Sequence, residues 1–241
     1  LKNYAAQTYF RQTSGIYYSY ILALPLFLLY ELLIRLSQAG QEQMVRISVD
    51  IWFQTFFAYF GINGLTATFG LAAVIGAIII FRKRGSLPSL KRRYFFWLIV
   101  ESFLYAVFIA LLISQFLEAL LNMNLQGNLQ QLSKLQLYAL SLGAGLYEEL
   151  FFRVILVSGL FYIFQLFFKT KKSSYILSAI IAAVIFSGVH YVGDFADTFT
   201  LSSFLFRFLF GLALNVIYVM RGFGCAAWTH ALYDLIVVYN L

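Results

Sequence analysis

Two histidines are the only imidazoles in a chain of 241 residues, and both stand in apolar sequence. His190 closes Phe186-Ser187-Gly188-Val189-His190, and His230 opens His230-Ala231-Leu232-Tyr233-Asp234. Upstream lies Glu148-Glu149-Leu150-Phe151-Phe152-Arg153. Ionisable side chains inside lipid-spanning segments cost free energy, so they ordinarily face a polar interior and mark function. Carboxylates and imidazoles brought together are the groups of general acid–base chemistry, and the same side chains also ligate metal ions.

Helical spacing sorts these residues. Glu149 and Arg153 are four apart, with the acid N-terminal to the base, the favoured order for an ion pair on one face. Glu148 points about 100° away around the helix. It has no such partner and is the freer carboxylate, which suits it to act as a general base. The plainer reading is that both glutamates bridge to neighbouring helices. His230 and Asp234 also share a face, where the aspartate can accept a hydrogen bond from the imidazole and fix its tautomer. Trp228 and Tyr233 are expected only to pack.

Glu148, Glu149 and Asp234 against Arg153 leave about two negative charges in a low dielectric, which is costly. A divalent metal such as zinc held by Glu148, His190 and His230, protonated histidines, or a protonated carboxyl would each relieve it. No His-Glu-x-x-His motif is present. The sequence leaves metal-dependent and metal-free chemistry both open.

Positioning these side chains takes membrane helices. The chain is 62% hydrophobic and 11% charged, against about 25% charged in globular proteins. Apolar runs long enough to span a bilayer, about 20 residues each, recur throughout. The expected segments are 16–36 with Pro25 and Glu31, 62–81, 94–121, 135–168, 174–193, 202–220 and 225–241. Residues 47–60 read as an interfacial or re-entrant amphipathic helix. The fold class is therefore all-α: a polytopic helical membrane protein of about seven transmembrane helices with an intramembrane active-site cavity.

Net charge is +7, but its distribution argues against nucleic acid. Arg82, Lys83, Arg84, Lys91, Arg92 and Arg93 flank one short loop, and Lys169, Lys171 and Lys172 form a second cluster. Both fit cytoplasmic loops under the positive-inside rule and put the N-terminus in the cytoplasm. Single Cys225 excludes an intrachain disulfide and a multi-cysteine metal site. One register problem stands out. Glu148 lies about 30 Å from the cytoplasmic end of its segment, but His230 lies only about 10 Å from its own. Either segment four tilts or extends past the membrane, or the turn Arg221-Gly222-Phe223-Gly224 dips inward.

Glu148-Glu149-x-x-x-Arg153, Phe186-x-x-x-His190 and His230-x-x-x-Asp234 together resemble the CAAX prenyl protease and bacteriocin-processing family, also called Abi. The resemblance covers residues 135–241, a catalytic helical core; residues 1–134 add N-terminal membrane helices within the same integral unit. It implies an intramembrane endopeptidase, glutamic-type or metal-dependent, in a bacterial or archaeal plasma membrane. Its partners would be the lipid bilayer and a peptide or protein substrate, lipidated or membrane-anchored. Glu148 and His190 would activate the attacking water, His230 with position 234 would stabilise the oxyanion, and Glu149 with Arg153 would hold the site together. Asp234 stands where the family more commonly has asparagine; an ionised carboxylate cannot donate to an oxyanion. The alternatives of other classes are a non-catalytic scaffold or immunity protein of the same family, and a proton-coupled transporter. The serine and aspartyl intramembrane protease motifs are not matched.

Overall fold

The structure, a computed structural model, describes residues 2–40, 45–83, 90–121, 132–193 and 196–239. Parts of two expected loops, 84–89 and 122–131, and Asp194 lie outside these residues. In chain order the helices are α1 (Lys2–Thr13), α2 (Ile16–Ser37), α3 (Ser48–Ala58), α4 (Gly64–Lys83) and α5 (Arg92–Leu121). Next, α6 (Lys134–Gly143) runs through two π-helical stretches, Ala144–Glu148 and Leu150–Val157, into α7 (Ser158–Gln165). Last come α8 (Lys171–Val189), α9 (Leu201–Arg221) and α10 (Phe223–Tyr239). The described residues contain no strand.

Five of these helices, α2, α4, α5, α8 and α9, are long and apolar enough to cross a membrane. Their outward faces carry large apolar side chains such as Leu32, Phe96, Leu104 and Phe108, each more than half exposed, as lipid-facing surfaces require. The protein is an all-α polytopic membrane protein. The two other expected spans are helical as well: one is the composite 134–165, and the other is α10, at 17 residues. Helix α3, with 11 residues, is too short to cross. Helix α1 is an element the hydropathy pattern did not single out.

Helix α10 is the hub, packed by α2, α5, α6, the first π stretch and α9. Its inward residues are small: Cys225, Ala226, Ala227 and Ala231 are 1% exposed or less. Small side chains let backbones approach closely where lipid offers no hydrophobic drive. Trp228 does more than pack, donating its indole N–H to Leu22 O of α2 at 2.7 Å.

The register problem is met by the turn between α9 and α10, which is buried. Arg221 is 3% exposed. It pairs with Glu101 of α5, donating Nη2 to Oε2 at 2.8 Å and to Thr13 Oγ1 of α1 at 2.9 Å. Tyr9 and Tyr105 donate to the same carboxylate at 2.7 and 2.9 Å. Burial first, then the bond to Glu101, raises the Tyr9 phenol above its ordinary value, so it remains a donor. Glu101 lies nine residues along α5 from Arg92, about 13 Å by helical rise. The turn therefore sits inside the bundle, covered by α1. Gly222 permits this with φ +85° and a close approach, since a Cβ there would meet Ser19 Oγ at 2.7 Å and Ser14 O at 2.9 Å.

Candidate active site

The π-helical stretches present Glu148 and Glu149 to α10. Bonding from i to i+5 widens the helix, and such segments concentrate at functional sites. Gly145, one turn earlier, lets the backbones nearly touch. A Cβ there would lie 2.5 Å from Ala227 O and 2.7 Å from Ala231 N. This contact seats the glutamate pair opposite His230.

Glu149 is fully buried and its Oε1 lies 2.8 Å from His230 Nδ1. A carboxylate accepts only, so Nδ1 carries the proton. The expected pair with Arg153 is present, Nη1 to Oε1 at 2.8 Å. That contact lacks hydrogen-bond alignment, and Glu149 Oε2 and Arg153 Nε have no hydrogen-bond partner among the described residues. Arg153 Nη2 donates to Gly211 O of α9 at 3.3 Å, and its guanidinium lies over the Phe186 ring, 4.7 Å from the centroid.

On the other side of the imidazole, Nε2 faces Asp234 Oδ2 at 3.6 Å and Glu148 Oε2 at 3.9 Å. Neither distance is a hydrogen bond. The helical-face reading gave Asp234 the task of fixing the His230 tautomer; the bond that does so belongs to Glu149. The two glutamates also differ in exposure: side chains are 0% exposed for Glu149, 14% for Glu148 and 27% for Asp234.

His190 caps the C-terminal end of α8. Its Nδ1 lies 2.8 Å from Phe186 O, an acceptor, so this nitrogen donates and Nε2 keeps its lone pair. Phe186 joins the two histidines. Its ring meets His190 edge-on at 5.2 Å and His230 at 5.8 Å between centroids. Phe210 of α9 meets His230 at 5.5 Å. Tyr233, expected to pack, lies against Phe206 and Phe210. Glu148, Glu149, Arg153, His230 and Asp234 thus form one contact network, with His190 beside it across a shared aromatic ring.

The sequence left open a metal held by Glu148, His190 and His230. Among the described residues, no three His, Cys, Asp or Glu side chains converge as a metal site. A cavity of about 520 Å³ does lie nearby, but on the opposite flank of the same helix. It is an apolar cleft between α2 and α4, bordered by Leu146, Tyr147 and Leu150 and not by the candidate site residues.

Sequence reading missed three contributors. The close approach at Gly145 was legible as a small-x-small pair, Gly143-Ala144-Gly145, beside the glutamates. The Gly211 carbonyl and the Phe186 bridge had no sequence signal for their partners. A second buried ion cluster also went unread: Arg46 donates to Glu31 at 3.1 Å and to Asp50 at 2.7 Å, and Tyr30 donates to Asp50 at 2.7 Å. It ties α3 to α2.

Fold and polar cluster together define a helical membrane protein with ionisable groups buried among its spans. A family model described as type II CAAX prenyl endopeptidase, Rce1-like, matches residues 130–236. Over this region the chain is similar to the CAAX prenyl protease and bacteriocin-processing family that its three motifs resemble. No curated protein and no solved structure matches the chain.

Proposed function

We propose that the protein is an intramembrane endopeptidase that hydrolyses a peptide bond with water activated by Glu148 and His190. The supporting observation is the placement of His230 between two carboxylates from one helix. Glu149 holds its Nδ1 at 2.8 Å, and the more exposed Glu148 faces its Nε2 at 3.9 Å. Glu149 and Arg153 are then positioning residues, and Glu148 has the freedom to exchange a proton.

In the reaction, Glu148 takes a proton from water, and the hydroxide adds to the scissile carbonyl carbon. His190 orients the water through its Nε2 lone pair. The carbonyl oxygen gains negative charge and accepts a hydrogen bond from His230 Nε2–H. With both ring nitrogens protonated, His230 is a double donor, and the surrounding carboxylates balance its charge. As the C–N bond breaks, Glu148 returns its proton to the leaving amine. Asp234, acceptor-only when ionised, holds the imidazolium from the solvent side. No step is routed through a metal, because the donor set does not converge on one.

The test is cleavage of a peptide library by purified protein in detergent. Loss of a general base costs about 10²- to 10⁴-fold. Glu148→Gln and His190→Ala should fall in this range while keeping the wild-type thermal unfolding profile. Normal turnover by either folded variant removes the mechanism. A wild type that cleaves nothing supports the scaffold alternative.

A further inference from the structure

Helices α2 and α4 each turn one mainly apolar stripe towards the other. On α2 it runs from Ile16 through Tyr20 and Ala23 to Phe27. On α4 it runs from Thr68 through Ala72 and Ile75 to Ile79. Residues at this spacing share one helical face and ordinarily close into a packed seam. Here the seam is parted by the cleft of about 520 Å³. It is bridged where Tyr20 Oη donates to Ala72 O at 2.8 Å and where the Phe27 and Phe69 rings meet at 4.8 Å. Its floor includes Leu146, Tyr147, Leu150 and Val154, on the reverse side of the stretch that carries Glu148 and Glu149.

Depth and charge identify what fills it. From 16 to 27 and from 68 to 79 the rise is about 16 Å each, half of the roughly 30 Å hydrocarbon core of a bilayer. The cleft is as deep as one leaflet, the reach of one acyl chain. An empty apolar gap forfeits the dispersion contacts of its lining. Both walls are helices long and apolar enough to cross a membrane, so acyl chains are the apolar matter at hand. One end of the cleft is basic. Ser14, Ile16 and Ile79 border it there, and Ile16 is 59% exposed. Arg11, in the last turn of α1, precedes Ser14 by three residues, and Arg82 follows Ile79 by three; both are exposed. Residues 1–30 and 51–100 hold these and other Lys and Arg but no Asp or Glu. Basic side chains at a membrane surface attract anionic headgroups.

We propose that this cleft binds one anionic phospholipid, with an acyl chain lying between α2 and α4 and the headgroup phosphate held by Arg11 and Arg82. The chain packs against Leu146, Tyr147 and Leu150, so the lipid braces the π-helical stretches from behind. The site is separate from the residues assigned to hydrolysis, and it stands whether or not the protein cleaves peptides.

The experiment titrates delipidated protein in detergent with dioleoylphosphatidylglycerol or dioleoylphosphatidylcholine and counts bound lipid by native mass spectrometry. One phosphatidylglycerol should bind about 30-fold more tightly than phosphatidylcholine, which is about 2 kcal/mol, or about 1 kcal/mol for each arginine. Arg11→Gln combined with Arg82→Gln should bring the two lipids to the same affinity. Ala72→Phe places a ring in the cleft and should weaken both lipids about tenfold, as the loss of about two buried methylene groups does. Both arginines are exposed, so their double variant keeps the test decisive if Ala72→Phe fails to fold. Equal affinity for the two lipids in wild type, a preference that survives loss of both arginines, or unchanged binding by folded Ala72→Phe overturns the proposal. So does a dimer that takes up no lipid, which would assign the cleft to a second copy of this chain.

Discussion

Replacing Gly145 with alanine separates positioning from chemistry, because the substitution adds one methyl group and no charge. An ideal Cβ at this site would lie 2.5 Å from Ala227 O, 2.6 Å from Ala231 Cβ and 2.7 Å from Ala231 N. Ordinary contact begins near 3.4 Å, so α10 must recede by about 0.9 Å here. Two of the three clashing atoms are backbone, and no rotamer change relieves them. His230 lies between Ala227 and Ala231 in sequence, so its ring moves with them. The 2.8 Å bond from Nδ1 to Glu149 then stretches out of hydrogen-bond range. Overpacking of this kind costs about 1–3 kcal/mol of stability. A displacement near 1 Å in a catalytic constellation costs about 10²-fold in rate. Gly145→Ala should therefore lower kcat/KM by about that factor with a modest fall in unfolding temperature. Gly159→Ala is the control. That Cβ meets nothing within 4 Å, and alanine favours a helix over glycine by about 1 kcal/mol. Activity of Gly145→Ala within twofold of wild type, at unchanged stability, would refute the claim that this contact sets the site.

Arg153→Met leaves Glu149 buried without its cation and should cost about 3–5 kcal/mol in chemical denaturation, whereas adding Glu149→Leu should recover most of the loss while activity stays absent. Asp234→Asn replaces an acceptor-only group with one that can also donate, so peptide cleavage should be at least as fast as wild type; a drop beyond about 10²-fold would show that the negative charge itself is needed. Glu101→Gln weakens the hold on Arg221 and on α1, and should speed limited proteolysis around Ser14 and Gly15 by an amount matching about 1–3 kcal/mol of lost stability.

Much of the architecture was legible because lipid imposes a simple rule: each spanning segment must be long, apolar and helical. The expected segments at 62–81 and 202–220 reappear as α4 (Gly64–Lys83) and α9 (Leu201–Arg221), within two residues at each end. The Glu149–Arg153 pair was legible too, because it depends only on spacing along one helix. What failed to show was anything that depends on which helices meet. Glu149 rather than Asp234 orients His230, since the partner comes from 81 positions away in the chain. The Arg221–Glu101 pair spans 120 positions. Spacing ranks residues within an element, but it cannot rank contacts between elements. The depth conflict between Glu148 and His230 carried more information than the pattern did. It required either a long, tilted segment or a sunken turn, and Arg221 supplies the charge that lets the turn sink.

Two consecutive glutamates on an ideal α-helix diverge too far to serve one imidazole from both sides. The widened π-helical stretches reduce that divergence, since more residues complete each turn. Glu149 therefore reaches Nδ1 from the buried side, and Glu148 comes within 3.9 Å of Nε2 from the wetter side. The two acids need opposite environments. Glu149 orients a ring and must stay fixed, which burial against Arg153 and the Phe186 face provides. In the proposed reaction Glu148 gains and loses a proton within each cycle, which a sealed ion pair would prevent. A helix in regular α geometry would have to bring one acid to the ring at the expense of the other. On this argument, restoring α-helical geometry by deleting one residue between Gly145 and Glu148 should lower peptide cleavage more than Glu148→Gln or Glu149→Gln alone, because it removes the orienting and the proton-accepting carboxylate together.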